Sequence, residues 1–271
     1  LQIHACRQDV PHNRKEEAEM TRQSQQHGVE NRLPRVAVVT GAARRIGRRI
    51  ALALAEDGFA VVVHFGKSAA AAEELVAQIQ QSGGIAMAVG CDLADAAKSA
   101  EKIMDAASAI GCPQLLINNA SVFEDLPLAD VTMQHCLSQL GVNLVAPVFL
   151  SQQFVSRLPD GIPGQIINIL DWRAARPPAD HLIYTASKAA LASVTSGLAQ
   201  QLAPQIRVNG VAPGAVLAPP GREQWHQQRA DREIPLRVSG SPENITSTIR
   251  FLIHNTFITG EVITLSGGEH L

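Results

Sequence analysis

The chain is short of the features that mark several protein classes. Its 271 residues hold four cysteines, Cys6, Cys91, Cys112 and Cys136. No two form a C-x-x-C pair, and a chain of this length needs no covalent staples, so reduced thiols and a cytoplasmic location are expected. Positive charge is not in excess: 23 Lys and Arg face 25 Asp and Glu, for a net charge of −2. That argues against a general nucleic-acid binder or a binder of anionic membranes, since both require a basic surface. No apolar run approaches the roughly 20 residues of a membrane helix. Nine histidines are present, without H-E-x-x-H or any other close ligand set, so no metal site is expected. Internal repeats and low-complexity arrays are also missing. What is abundant is apolar character, at 46% of residues, ample for a sizeable core.

Residues 1–34 differ from the rest. They are polar, rich in Gln, Arg and Glu, and carry no apolar periodicity. They lack the apolar centre of a signal peptide, and their acidic residues argue against a transit peptide. A disordered polar extension is expected. Leu1 is an unusual first residue, and Met20 is a candidate translation start that intact mass would test.

From Arg35 the pattern is regular. VAVVT (36–40), AVVVHF (60–65), IAMAVGCDL (85–93), QLLINNAS (114–121), QIINIL (165–170), IRVNGVAPG (206–214) and GEVITLSGG (260–268) read as strands or strand exits. Between them lie helical stretches of ten or more residues, the longest over 133–158 and 182–203. The stretch around 215–235, with Pro219, Pro220, Gly221 and Trp225, reads as irregular and as a loop closing over substrate. Strands separated by long helices call for crossovers and a parallel sheet. The strands are apolar on consecutive residues, as expected when both faces are covered. The expected fold is α/β: a single Rossmann-type, doubly wound parallel sheet of about seven strands over 35–271, with helices on both faces. Ligand should bind beyond the carboxyl ends of the strands, where the winding reverses.

TGAARRIG (40–47) follows the first strand and opens the first helix. Gly41 and Gly47 permit a tight turn and close packing, and the helix N-terminus offers free N–H groups to an anion. The G-x-G-x-x-G form is not met, because Arg45 stands in the place of the middle glycine. Cations in a first helical turn oppose its dipole, and a bound anion would offset that cost. Arg44 and Arg45 are read as ligand contacts, Arg48 and Arg49 as a solvated basic face. The second strand ends in HFGKS (64–68), without the carboxylate that would hold a ribose 2′-hydroxyl. His64, Lys67 and Ser68 suit a 2′-phosphate, so NADPH is favoured over NADH.

TGAARRIG, CDL (91–93), NNAS (118–121), VN (142–143), YTASK (184–188), PG (213–214) and SGG (266–268) occur in one order. On these seven elements the chain resembles the short-chain dehydrogenase/reductase family over 35–271. Within it the chain is most similar to pteridine reductases and bacterial dihydromonapterin reductases. The features that carry this are the arginine in the glycine turn, the His-aromatic-x-basic-Ser end of strand two, NNASVF with Ser121, and Asp171 thirteen residues before Tyr184, where most members have serine. Ser266 replaces the usual aspartate of DGG, and the common threonine after Gly214 is missing.

The resemblance implies roles. Tyr184 would donate a proton as hydride is delivered, and Lys188 would lower the tyrosine's pKa and bind the nicotinamide ribose. Asn143 would hold a water on the proton path. Ile46, Asp92, Leu93, Asn119, Ala120, Pro213 and Gly214 would surround the cofactor together with Gly41, Arg44, Arg45 and Gly47. Phe123 would stack on a pterin ring, or else belong to the core, and Ser121 would bond the pterin or a cofactor phosphate. Asp171 narrows the acceptor. An ionised aspartate only accepts hydrogen bonds, and it repels the charge developing on a ketone oxygen. Beside a ring nitrogen that becomes protonated it helps, and with a raised pKa it could itself be the acid. Reduction of a dihydropterin C=N bond is therefore expected. Carbonyl reduction of a 3-oxoacyl chain or sugar, or non-catalytic NADPH sensing, are the alternatives. A homotetramer is implied by the resemblance alone.

Overall fold

The structure, a computed structural model, describes residues 33–218 and 221–271. The expectation for residues 1–34, and Cys6 with it, lies almost wholly outside the described residues. Pro34–Leu271 forms one compact unit.

Seven parallel strands run in the order β3-β2-β1-β4-β5-β6-β7. They are β1 (Arg35–Val39), β2 (Ala60–Phe65), β3 (Ala86–Gly90), β4 (Cys112–Asn118), β5 (Gly164–Ile169), β6 (Ile206–Pro213) and β7 (Val262–Leu265). The central strands are Val- and Ile-rich and buried on both faces. The helices are α1 (Arg45–Glu56), α2 (Ala69–Gln81), α3 (Ala96–Ile110), α4 (Met133–Leu140), α5 (Ala146–Arg157), α6 (Leu182–Leu202), α7 (Glu223–Glu233) and α8 (Pro242–His254). One apolar layer joins the sheet to α1, α2 and α8 through Ile50, Leu54, Leu75, Ile79, Ile245 and Ile249. The other joins it to α3, α5 and α6 through Ile103, Met104, Leu150, Phe154 and Ala199. Strand order reverses between β1 and β4, which opens the crevice where a doubly wound sheet binds ligands.

Two stretches depart from the sequence reading. The helix over 133–158 contains a π-helical turn, Gly141–Val145, between α4 and α5. The irregular stretch around 215–235 holds α7, which buries only His226 and Ala230 and leaves Trp225 half exposed. A helix burying so little has almost no apolar period to detect. Its Arg229 pairs with the buried carboxylate of Glu269, which also accepts the N–H of Ala215 at 3.0 Å. Among the described residues no helix is long and apolar enough to cross a membrane.

Candidate active site

The turn after β1 is a hydrogen-bonded cradle. Gly41 takes φ +63°, and a Cβ on it would lie 3.0 Å from the Ala120 Cα. A Cβ on Gly47 would lie 2.2 Å from the Gly41 carbonyl oxygen and 2.7 Å from Asn119 Nδ2. Neither place has room for a side chain. Arg45 keeps the left-handed backbone of the glycine it replaces, at φ +52°, a conformation uncommon for a long side chain and typical of functional turns. Its guanidinium donates to the carbonyls of Leu217 and Ala218, each at 3.2 Å, and so ties the turn to the segment after β6. Thr40 Oγ1 accepts the N–H groups of Asn119 and Ala120, both at 2.9 Å. Asn119 Nδ2 donates to the Thr40 carbonyl at 2.8 Å.

This cradle opens on a cleft of about 560 Å³ lined by Gly41, Arg44, Arg45, Ile46, Gly47, His64, Lys67, Asp92, Leu93, Asn119, Ala120 and Ser121, among others. Arg48 and Arg49 face away and pair with Glu74 and Glu243. His64 needs a correction. It is 2% exposed, its Nδ1 accepts the Gly41 N–H at 3.1 Å, and its Nε2 meets the Cys91 carbonyl at 3.2 Å. Burial lowers its pKa, so it is a neutral brace between β2, β3 and the turn, with no ring nitrogen to spare for a phosphate. Ser68 sits beyond the cleft lining, at the N-cap of α2. Pro213 and Gly214 end β6, outside that lining. Gly214 is closed by Ser266 and by Glu269 Oε2, 2.5 Å from any added Cβ.

At the ends of β5 and α6 the catalytic candidates meet. The Tyr184 hydroxyl donates to Asp171 Oδ2 at 3.0 Å. Asp171 Oδ1 accepts the Arg173 N–H at 2.9 Å, and the Arg173 guanidinium lies 3.4 Å from Oδ2. Asp171 therefore points into the site. Lys188 is buried, and Nζ donates to the Ile169 carbonyl at 2.8 Å. Burial lowers its pKa to about 8, opposed by the charge of Asp171.

Two expected roles change. Tyr184 is raised well above its ordinary pKa, first by burial and then by the Asp171 carboxylate. The lowering ascribed to Lys188 is not found; the opposing influences come from Arg173 and Ser121. The amine's hydrogen bond goes to a backbone carbonyl, and the group in contact with the phenol is an anion. Asn143 is wholly buried in the π turn. Its Oδ1 accepts from Ser121 Oγ (3.0 Å) and Val122 N (2.8 Å), and Nδ2 donates to Val122 O (2.9 Å) and Ser187 Oγ (3.0 Å). Both lone pairs and both protons are spent, so the side chain is a strap for segment 121–122 and cannot hold a water.

Phe123 is 54% exposed and belongs to the mouth, not to the core. It stacks on His181, with centroids 4.1 Å apart and planes at 14°, and meets Tyr184 edge-on at 4.6 Å. Arg173 lies 5.9 Å from the Phe123 centroid.

Residues 35–229 match the family described as short chain dehydrogenase. The chain belongs to that family. It is an oxidoreductase of the short-chain type, as seven motifs in order had suggested. Among its relatives are a 3-oxoacyl-[acyl-carrier-protein] reductase of Synechocystis, 35% identical over 238 residues and covering 86% of this chain and 96% of that one. An L-xylulose reductase of Cavia porcellus is 36% identical over 243 residues, with 86% and 96% covered. Among solved structures, FolM alternative dihydrofolate reductase 1 of Brucella canis, complexed with NADP, superposes with a TM-score of 0.83 at 35% identity. That match covers 88% of this chain and 94% of the other.

Several residues that shape this short-chain dehydrogenase site were not singled out by sequence reasoning. Thr40 and Ser187 lie inside quoted motifs but carry no distinctive spacing. Asn118 and Asn168 link β4 to β5 at 2.8 Å, and Asn168 donates to Thr195 of α6 at 2.8 Å, a buried polar strut beneath the site. Two asparagines at corresponding places of apolar strands were the available signal. His181 is reached through no motif.

Proposed function

We propose that the enzyme uses NADPH to reduce a C=N bond of a dihydropterin. The observation that carries this reading is the Tyr184–Asp171 hydrogen bond, since a carboxylate in contact with the phenol would favour a nitrogen that gains a proton and would repel a ketone oxyanion. Phe123 beside it offers an exposed aromatic face to a planar ring. The solved FolM relative supports the same reading.

A dinucleotide fits the cradle. Gly41 and Gly47 let the turn close tightly where any Cβ would clash, N–H groups open α1, and no carboxylate ends β2. Arg44 and Lys67, both exposed on the cleft, would meet a 2′-phosphate. When bound, the nicotinamide supplies hydride to the ring carbon. The chain's own task is the proton for the ring nitrogen. A phenolate beside the Asp171 carboxylate is disfavoured, as the raised Tyr184 pKa states. Tyr184 would give its proton to the ring nitrogen and be reprotonated from solvent, while the Asp171 carboxylate in contact with the phenol favours a nitrogen that gains a proton. Lys188, anchored on Ile169, would hold the nicotinamide ribose.

The 3-oxoacyl and L-xylulose reductases, at 35% and 36% identity, stand level with the FolM relative at 35%, which keeps carbonyl reduction as the second reading. Steady-state rates with dihydrobiopterin, dihydromonapterin, acetoacetyl thioester and L-xylulose separate the two. Turnover of the dihydropterins is expected, with Asp171→Ser losing it about 100-fold. A parent enzyme that reduces only the keto compounds would sink the proposal. A homotetramer is proposed as well, through the long helices. Met133, Leu137, Val148 and Val155 expose apolar side chains along α4 and α5, and sedimentation would show a monomer if this is wrong.

A further inference from the structure

His181 is strained and held, and its position says why. It takes the left-handed conformation, φ +54°, at the N-cap of α6, a place where Asn or Gly is the usual occupant. Its N–H donates to Asp125 Oδ1 at 2.7 Å, which ties the start of α6 to the loop that carries Phe123. Its Nδ1 lies 3.3 Å from Asp180 and 4.0 Å from Asp125. No cap hydrogen bond comes from its side chain, so the backbone geometry gains nothing from the imidazole. The ring instead lies flat on Phe123.

The centroids of Phe123, His181 and Tyr184 form a triangle of sides 4.1, 4.6 and 6.4 Å. The angle at Phe123 is close to a right angle. His181 lies along the normal of the phenyl ring, so Tyr184 lies near its plane and touches its edge. One face of Phe123 is then covered by His181. The Arg173 guanidinium lies over the ring at a wider 5.9 Å, and the residue is still 54% exposed, which leaves room for a further stacked partner.

We propose that His181 is a positioning residue, a planar backstop that fixes Phe123 so that its exposed side takes the heteroaromatic ring of the substrate beside the Tyr184 hydroxyl. The inference rests on the dihydropterin reading and deepens it. The stack is His181, Phe123, substrate ring, with the edge of Phe123 set against Tyr184. An unsupported phenyl ring on an exposed loop rotates about χ1, and a substrate stacked on it moves relative to the proton donor. The αL backbone and the Asp125 tie hold the imidazole where that rotation would carry the phenyl ring into it.

Two substitutions separate the ring from the backbone. His181→Asn keeps a residue that tolerates the left-handed conformation but removes the plane. His181→Phe keeps the plane. For the Asn variant, KM for dihydrobiopterin is expected to rise about three- to ten-fold, the range of an aromatic stacking interaction, with kcat changed less than two-fold. The Phe variant is expected to restore KM to within about two-fold of the parent. NADPH titrations, by quenching of protein fluorescence, should overlay for all three proteins. An Asn variant with the parent's KM, or a Phe variant as impaired as Asn, would overturn the inference, because His181 would then serve only the turn. Thermal melting checks that each variant is folded. Should Asn unfold, the Phe variant decides alone, since a backbone role predicts that it fails too. A parent enzyme without dihydropterin turnover overturns both this inference and the reading beneath it. A parent with turnover and an unaffected Asn variant overturns the backstop alone.

Discussion

Around the turn after β1, the buried polar side chains are partnered within the chain. Thr40 serves two backbone N–H groups, His64 uses both ring nitrogens, and Asn119 closes on the Thr40 carbonyl. Around the mouth after β5, among the described residues, Tyr184, Asp171 and Lys188 are partnered but several buried polar atoms are not. Trp172 Nε1, Arg173 Nε, His181 Nδ1 and Thr185 Oγ1 are buried without a hydrogen-bond partner, and His181 adds backbone strain. A buried polar atom left without a partner costs roughly 1–3 kcal/mol, so such atoms cluster where a fold serves something other than its own stability. The first region is complete as folded, a socket for a ligand shared across a family. The second holds unspent polar groups, the material of discrimination between substrates.

The strongest test breaks the two regions apart. Tyr184 is the sole tyrosine of the chain, and it lies wholly on the mouth side. Tyr184→Phe removes the proposed proton donor and leaves the cradle untouched. A loss of about 1000-fold in kcat is expected, with NADPH affinity within two- to three-fold of the parent. Pre-steady-state mixing and a binding titration read the two numbers separately. Equal losses in both would mean that the regions are one cooperative unit.

Gly47→Ala is the reciprocal experiment. The new methyl would lie 2.2 Å from the Gly41 carbonyl oxygen, backbone that cannot yield without moving the turn. Forced overpacking of this kind costs roughly 1–3 kcal/mol. The expected result is about 10- to 100-fold weaker NADPH binding, with kcat at saturating cofactor much less affected. A kcat that collapses while binding survives would place the turn's role in the chemistry.

The same contrast explains what could be read in the sequence. The socket was legible because its demands are local: a glycine that must lack Cβ, a strand before it and a helix after it. The sheet was legible for a related reason, since strands buried on both faces must be apolar at every position. Tyr184 and Lys188 were found through their spacing on α6, and Asp171 through its place at the exit of β5 and the family resemblance. What escaped depends on contacts between distant segments. The imidazole of His64 looked like a phosphate ligand because no spacing reveals that Gly41 and Cys91 consume it. Asn143 looked like a water holder because its four partners come from two other segments. Helix α7 was missed because it buries only one narrow face, and His181 because its geometry arises where the 121–130 loop meets α6.

A smaller effect sharpens the socket itself. Arg44→Ala and Lys67→Ala remove the exposed cations at its rim without touching the cradle's internal bonds. Each should raise KM for NADPH about ten-fold and leave KM for NADH unchanged, because an exposed charge acts mainly on the extra phosphate. If KM for both cofactors rises equally, these residues shape the cleft and do not read the phosphate.

Lys188 stands on the border between the regions, and its pKa gives the finest test. Burial lowers the folded-state value from 10.5 to about 8. Between these values the unfolded chain holds more protons than the folded one, so this group makes stability rise with pH across that window. Below about 8 the amine is charged in both states, and the penalty of burying it is fully present. Lys188→Met removes the titration. Urea melts at pH 7.5 and 9.5 should therefore show the parent gaining on the order of 1 kcal/mol relative to the variant. The upper limit stays below pH 10 for a reason. Tyr184 has its folded pKa raised, so above the ordinary phenol value the unfolded state loses a proton that the folded state keeps, and stability falls again. A parent that loses ground to Lys188→Met between pH 7.5 and 9.5 would mean that Asp171 outweighs burial at the amine. The lysine would then belong with the mouth's charged cluster and not with the partnered side chains of the socket.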